Sequence, residues 1–206
     1  MVYLGVLGGI NVGKTSILKM FVDYVEKNKV NSLEGGIKCG IVSQDFIGET
    51  KVVDTDGTPL TITISPNKVV FKEIESKANH TLFAPGGHRD RLVVKMGIIT
   101  VSRIAKSIVA IFALDRPLKE QFDFYNDVRF FPRTVNVCFN KVDRVDPKKL
   151  DSELKSFEGE IIEFFAKKKI TVKKFYRTCA QDKKEFENYN DNVAKMILDI
   201  ATNPEK

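Results

Sequence analysis

Gly8-Gly9-Ile10-Asn11-Val12-Gly13-Lys14-Thr15 follows a short apolar run, residues 2–7, and opens a helix-forming stretch near Lys14. The spacing is G-x-x-x-x-G-K-[ST], and the strand-loop-helix setting matters as much as the letters. The glycines let the backbone curl so that successive N–H groups converge on phosphate oxygens. The helix N-terminus adds partial positive charge. Gly8, Gly9, Asn11, Val12, Gly13 and Ser16 are therefore expected around a polyphosphate. Lys14 is expected to reach its terminal phosphates, and the Thr15 hydroxyl to ligate Mg²⁺. The stretch implies a nucleoside triphosphate site.

A second stretch names the base. Residues 135–139 form an apolar, strand-like run that ends in Asn140-Lys141-Val142-Asp143. A carboxylate at the mouth of a strand can accept two hydrogen bonds from guanine N1–H and N2–H₂. Adenine offers no such pair and would leave the carboxylate facing an acceptor, so the Asp143 site discriminates between the bases. Asn140 would tie this loop to the first one, and the Lys141 stem would lie along the base plane. Taken alone, the tetrapeptide also fits a surface turn before the Asp146-Pro147 helix start. A third strand-like run, 173–177, is followed by Thr178-Cys179-Ala180. The three motifs sit at strand ends.

The rest of the chain alternates helical and strand patterns. Helices are expected near 15–27, 90–106, 118–130, 147–168 and 182–201, with strands at 107–114 and 134–139. Such alternation predicts an α/β fold of the P-loop NTPase kind: a mainly parallel central sheet with helices on both faces. The ligand then lies beyond the strand C-terminal ends. Residues 58–65 alternate, Pro66-Asn67 turns, and 69–74 return, which predicts an extended antiparallel edge and an effector surface. With 206 residues, 43% of them hydrophobic, the chain can bury one good core, so residues 1–206 are expected to form a single domain.

Over nearly its whole length the chain resembles the Ras-like small GTPase superfamily. It is most similar to the prokaryotic branch that includes bacterial gliding-motility polarity GTPases and related predicted GTPases. The resemblance rests on G-G-I-N-V-G-K-T, N-K-V-D, T-C-A and Leu82-Phe83-Ala84-Pro85-Gly86-Gly87-His88. It implies that Cys179 and Ala180 supply a backbone N–H to guanine O6. It implies too that Gly87 senses the γ-phosphate and that His88 orients the attacking water. Most GTPases carry D-x-x-G where this chain has Ala84 three residues before Gly87; the prokaryotic relatives also tend to lack that Asp, so the residue that holds the magnesium-bound water is in question. Asp54 is one candidate substitute. The long, glycine-containing segment 28–49 reads as a switch loop. Thr50 is the candidate threonine that closes on Mg²⁺ and γ-phosphate, with Thr55 and Ser43 as alternatives. Ile10 stands where the family keeps a glycine, and its branched side chain would crowd an arginine arriving from a partner. Arg89 and Arg91 follow His88 and either act from within the chain or face solvent. Slow GTP turnover is the expectation.

Cys39, Cys138 and Cys179 lack metal-ligand spacing and read as reduced thiols. With no signal peptide, transmembrane run or lipidation motif in the sequence, a cytoplasmic location is expected. The net charge of +6 concentrates in Lys167-Lys168-Lys169 and Lys173-Lys174, at a helix C-terminus. Lysines there complement the helix dipole, so nucleic acid is not the expected partner. Two functions follow, with a ribosome- or RNA-associated GTPase, supported only by His88 and the basic charge, as a more distant third. One is a GTP-hydrolysing switch that cycles with Mg²⁺ between GTP and GDP forms and binds protein effectors and regulators. The other is a guanine-nucleotide-binding scaffold with negligible hydrolysis.

Overall fold

The chain is described by a computed structural model over residues 1–33, 37–53, 57, 59–88 and 91–203. The strands are β1 (Val2–Leu7), β2 (Cys39–Asp45), β3 (Glu49–Val53), β4 (Pro59–Thr63), β5 (Asn67–Glu73), β6 (Asn79–Ala84), β7 (Ser107–Ala113), β8 (Thr134–Asn140) and β9 (Thr171–Arg177). The helices are α1 (Lys14–Glu26), α2 (Leu92–Ile104), α3 (Leu118–Asn126), α4 (Pro147–Lys167) and α5 (Glu187–Thr202).

Seven strands form one sheet in the order β2-β5-β6-β1-β7-β8-β9. The run from β6 to β9 is parallel, while β5 lies antiparallel to both β2 and β6. The expected mainly parallel sheet with an antiparallel edge is what the chain builds. Interior strand β7 is buried along its whole length, and its period-two alternation serves two cores. Val109, Ile111 and Ala113 pack with Ile17, Phe21 and Val25 of α1 and Val193 and Ile197 of α5. Ile108, Ala110 and Phe112 join Val94 and Ile98 of α2, Phe124 of α3, and Leu154 and Phe165 of α4. Helices thus cover both faces, and burial of these two stripes, rather than helix propensity, holds them there.

Two expectations about the antiparallel edge are corrected by the pairing. The segment 28–49 is not loop throughout: it contains the 3₁₀ turn Lys29–Ser32 and strand β2 on the sheet's outer edge. Nor do 58–65 and 69–74 form a hairpin with each other. Instead β4 pairs with β3 in a separate two-stranded ribbon, while β5 enters the main sheet between β2 and β6. The reason is register. Asn67, Val69 and Phe71 alternate inward on β5 and need a sheet neighbour over the α1 core, which β6 supplies.

All five parallel strands end at one edge of the sheet, where the loops following β1, β6, β7, β8 and β9 gather. Two buried α3 side chains fix that edge. The Tyr125 hydroxyl lies 3.0 Å from the Leu7 carbonyl and 2.8 Å from that of Ile111. Gln121 closes a two-way pair with Ala113, accepting from its N–H at 2.7 Å and donating to its carbonyl at 2.9 Å. Among the described residues, no helix is long and apolar enough to cross a membrane.

Candidate functional site

The loop 8–13 leaves β1 and turns into α1 through Gly13, whose φ of 94° lies in the left-handed region. A Cβ at Gly13 would also collide with the Asn140 amide. Glycine is required there on both counts. Lys14 is buried, with its ammonium donating to the carbonyls of Gly8 at 2.8 Å and Gly9 at 2.6 Å. Burial, with the nearby Arg116 charge adding to it, pushes the Lys14 pKa down to about 7. Arg116 itself donates to the Ile10 carbonyl at 2.9 Å. The loop is therefore gripped by two cations, one from its own helix and one from the β7–α3 loop.

Asn140 joins the three motifs. Its side chain is buried and donates to the Val12 carbonyl at 2.8 Å. Its Oδ1 accepts from the Thr178 hydroxyl at 3.1 Å and the Ala180 N–H at 3.2 Å. The Cys179 N–H is engaged as well, by the Tyr189 carbonyl at 3.3 Å. Asn190 of α5 pins the 178–181 turn from below, donating to the carbonyls of Cys179 and Gln181.

Three residues on, the Asp143 carboxylate is only 1% exposed. Burial works against its charge. Hydrogen bonds from Lys183 at 2.5 Å and the Cys179 thiol at 3.4 Å, with the Lys183 and Arg144 charges, outweigh burial and hold its pKa below the usual carboxylate range. Lys141 takes a left-handed conformation and bonds Asp115 at 2.6 Å. Asp115 also pairs with Arg116, which chains the 140–143 loop to the 8–13 loop.

At the other end of the loop lies a small cavity lined by Asn11, Gly13, Lys14 and Thr15, and by Thr63 and Gly87 from elsewhere in the chain. Ser16 also lines it. A Cβ on Gly87 would strike the backbone of Gly9 and Ile10, so Gly87 rests directly on the phosphate loop. His88 follows it, half-buried. Ala84 is buried at the end of β6.

The structure thus brings together residues 8–16, Gly87, His88, Asn140, Lys141, Asp143, Cys179 and Ala180. Thr50 is not among them: it is exposed on β3, paired with Ile62. The threonine that joins Thr15 at the cavity is Thr63, paired with Glu49 at the same end of the ribbon as Thr50, but buried. Asp54, Thr55 and Arg89 lie outside the described residues. Arg91 faces solvent, and among the described residues the arginine bonded to the loop is Arg116. Sequence reading also missed Asn67, whose amide donates to the Thr15 hydroxyl at 3.1 Å. Its signal was a polar residue in the inward register of β5, legible only once that strand is known.

Mg²⁺ fits the residues present. Thr15 and Thr63 offer hard oxygen donors at one cavity. Beside them Asn67 Oδ1 is buried without a hydrogen-bond partner among the described residues.

No protein-family model matches the chain, and no curated protein sequence does either. Solved structures do match. All of the chain aligns with 34% of the translation elongation factor SelB from Methanococcus maripaludis, determined with a GTP analogue, at TM-score 0.59 and 14% identity. All of it also aligns with 58% of Era, determined with MgGDPNP and a 16S ribosomal RNA segment, at TM-score 0.59 and 17% identity. A bacterial selenocysteine-specific elongation factor matches 97% of the chain over 29% of its own, at TM-score 0.52 and 15% identity. The chain spans about a third of the two elongation factors and somewhat more than half of Era.

Proposed function

We propose that this chain, whose likeness to these structures is one of fold, is a single G domain over residues 1–206 that binds GTP and GDP with Mg²⁺, hydrolyses GTP slowly, and acts as a molecular switch for protein effectors and regulators. The observation that carries the proposal is Asn140. One buried amide holds the Val12 carbonyl of the phosphate loop and the Thr178-Cys179-Ala180 turn, and it stands three residues from a buried carboxylate. An isolated surface turn has no use for that arrangement. It supports a base site built to the same frame as the phosphate site. The finer kinship, with the prokaryotic branch of Ras-like GTPases, rests on the motif set alone.

In this reading the loop N–H groups and Lys14 bind the phosphates, and Asp143 selects guanine. Lys183 swings away from Asp143 as the base enters. Bound Mg²⁺ would neutralise charge between the phosphates, held by Thr15 and Thr63. Gly87 carries the γ-phosphate contact to the switch, and His88 orients the attacking water. Arg116 lies near enough to the loop to offset charge from within the chain, which suits a protein whose Ile10 crowds an incoming arginine. The scaffold reading keeps two supports: Ala84 stands where most GTPases place a carboxylate, and Ile10 stands where Ras-like proteins usually keep a glycine.

Single-turnover phosphate release from GTP tests the choice. His88→Ala is expected to slow release by ~10-fold or more while leaving GDP affinity within a factor of three. An unchanged rate removes His88 from the reaction. Absence of release in the parent protein, with tight GTP binding, favours the scaffold.

A further inference from the structure

Ala84 leaves a gap in the chemistry, and the neighbouring strand fills it. Cross-strand partners share a face of the sheet. Ala84 of β6 is paired with Asn67, the first residue of β5. Because alanine ends at Cβ, the space above it toward α1 is open to a longer side chain from the adjacent position. Asn67 uses that space. It is 1% exposed, and its Nδ2 donates to the Thr15 hydroxyl at 3.1 Å and to Glu49 Oε1 at 2.5 Å.

These two bonds fix which way the amide faces. A carboxylate accepts only, so the amide atom against Glu49 is the nitrogen. Both N–H groups are then used, and Oδ1 is left as a buried acceptor with no partner among the described residues. Leaving a buried polar atom unsatisfied costs about 1–3 kcal/mol, so an orphan here needs a reason. Glu49 is held in its turn by Lys19 of α1 at 2.6 Å, with the carboxylate 9% exposed. Thr15, having accepted from Asn67, keeps one lone pair and its own proton for other partners.

We propose that Asn67 is the positioning residue of the magnesium site: its Oδ1 accepts a hydrogen bond from a metal-bound water and its Nδ2 orients Thr15, in the place that Ala84 leaves empty. Glu49 and Lys19 lock the amide in that orientation. A neutral amide suffices because Glu49 already brings a carboxylate to the cluster, and a second one beside it would be repelled. The proposal rests on the Mg²⁺-nucleotide reading above and assigns to a described residue the role left open between Ala84 and Asp54.

The test is a Mg²⁺ titration of GDP-bound protein, read as the rate of nucleotide dissociation at each free Mg²⁺ concentration, beside GDP affinity in EDTA. Asn67→Ala is expected to raise the Mg²⁺ half-saturation ~10–100-fold, the usual cost of removing a group that orients a metal's ligands. GDP affinity in EDTA should stay within threefold of the parent. If the half-saturation is unchanged, the proposal is overturned. Because Asn67 is buried, the double variant E49Q/N67D guards against a folding defect. It keeps one carboxylate and one amide in contact and reverses the bond to Thr15, whose hydroxyl can donate to the new carboxylate, so it should hold Mg²⁺ at least as tightly as the parent. A tenfold loss in that variant also overturns the proposal. Parent protein that binds no nucleotide, or releases it at a rate indifferent to Mg²⁺, instead removes the reading beneath it.

Discussion

Lys14 carries an unusual load for a lysine, since its ammonium is buried against two carbonyls and its pKa falls to about 7. Below pH 7 the folded and unfolded chains both hold its proton, and the burial cost is complete. Between about 7 and 10.5 the unfolded chain keeps the proton and the folded chain sheds it, so this cost is relieved as pH rises. Polyphosphate reverses the balance by favouring the charged form. Nucleotide binding at pH 8 is therefore expected to take up close to one proton, read by calorimetry in buffers of different ionisation enthalpy. Lys14→Met should abolish the uptake. At the base, Asp143→Asn should lower the preference for GDP over ADP by ~10²-fold or more, because a carboxylate that accepts two hydrogen bonds becomes an amide that cannot. Lys183 covers the buried Asp143 carboxylate and has to be displaced as the base enters, so Lys183→Ala should tighten GDP rather than weaken it.

At the scale of elements, the ribbon of β3 and β4 decides which threonine reaches the cavity beside the 8–13 loop. Thr50 looked suited to it because it follows a long glycine-containing segment and precedes an apolar run. Strand pairing sends Thr50 outward and brings Thr63 to the phosphate loop, where its carbonyl also abuts Gly86. In a fluorescence titration, Thr63→Ala is expected to weaken Mg²⁺-dependent GTP binding ~10-fold or more, and Thr50→Ala to leave it unchanged. The phosphate loop, the 140–143 loop and the 178–180 turn were legible in the sequence because each is a local string whose backbone geometry its own residues impose. Thr63, Asn67, Arg116 and Asn190 were not, since each reaches the site through a register or a helix docking set by distant parts of the chain. The period-two inward pattern of Asn67, Val69 and Phe71 was present, but it could not name its partner strand.

For the whole molecule, the gathering of five loops at one sheet edge makes the site a product of the fold. Tyr125 holds the ends of β1 and β7 together through two buried carbonyls. Tyr125→Phe should cost about 1–3 kcal/mol of stability by denaturant unfolding, and a saturating nucleotide should restore part of it. The reading of one nucleotide-binding switch is tested most directly by titrating nucleotide-free protein with GDP, GTP and ATP in a calorimeter, with and without Mg²⁺. Tight, Mg²⁺-strengthened binding of both guanine nucleotides, and ATP binding weaker by ~10²-fold or more, is the expected result. Equal affinity for ATP would contradict the role given to Asp143 and, with it, the guanine switch.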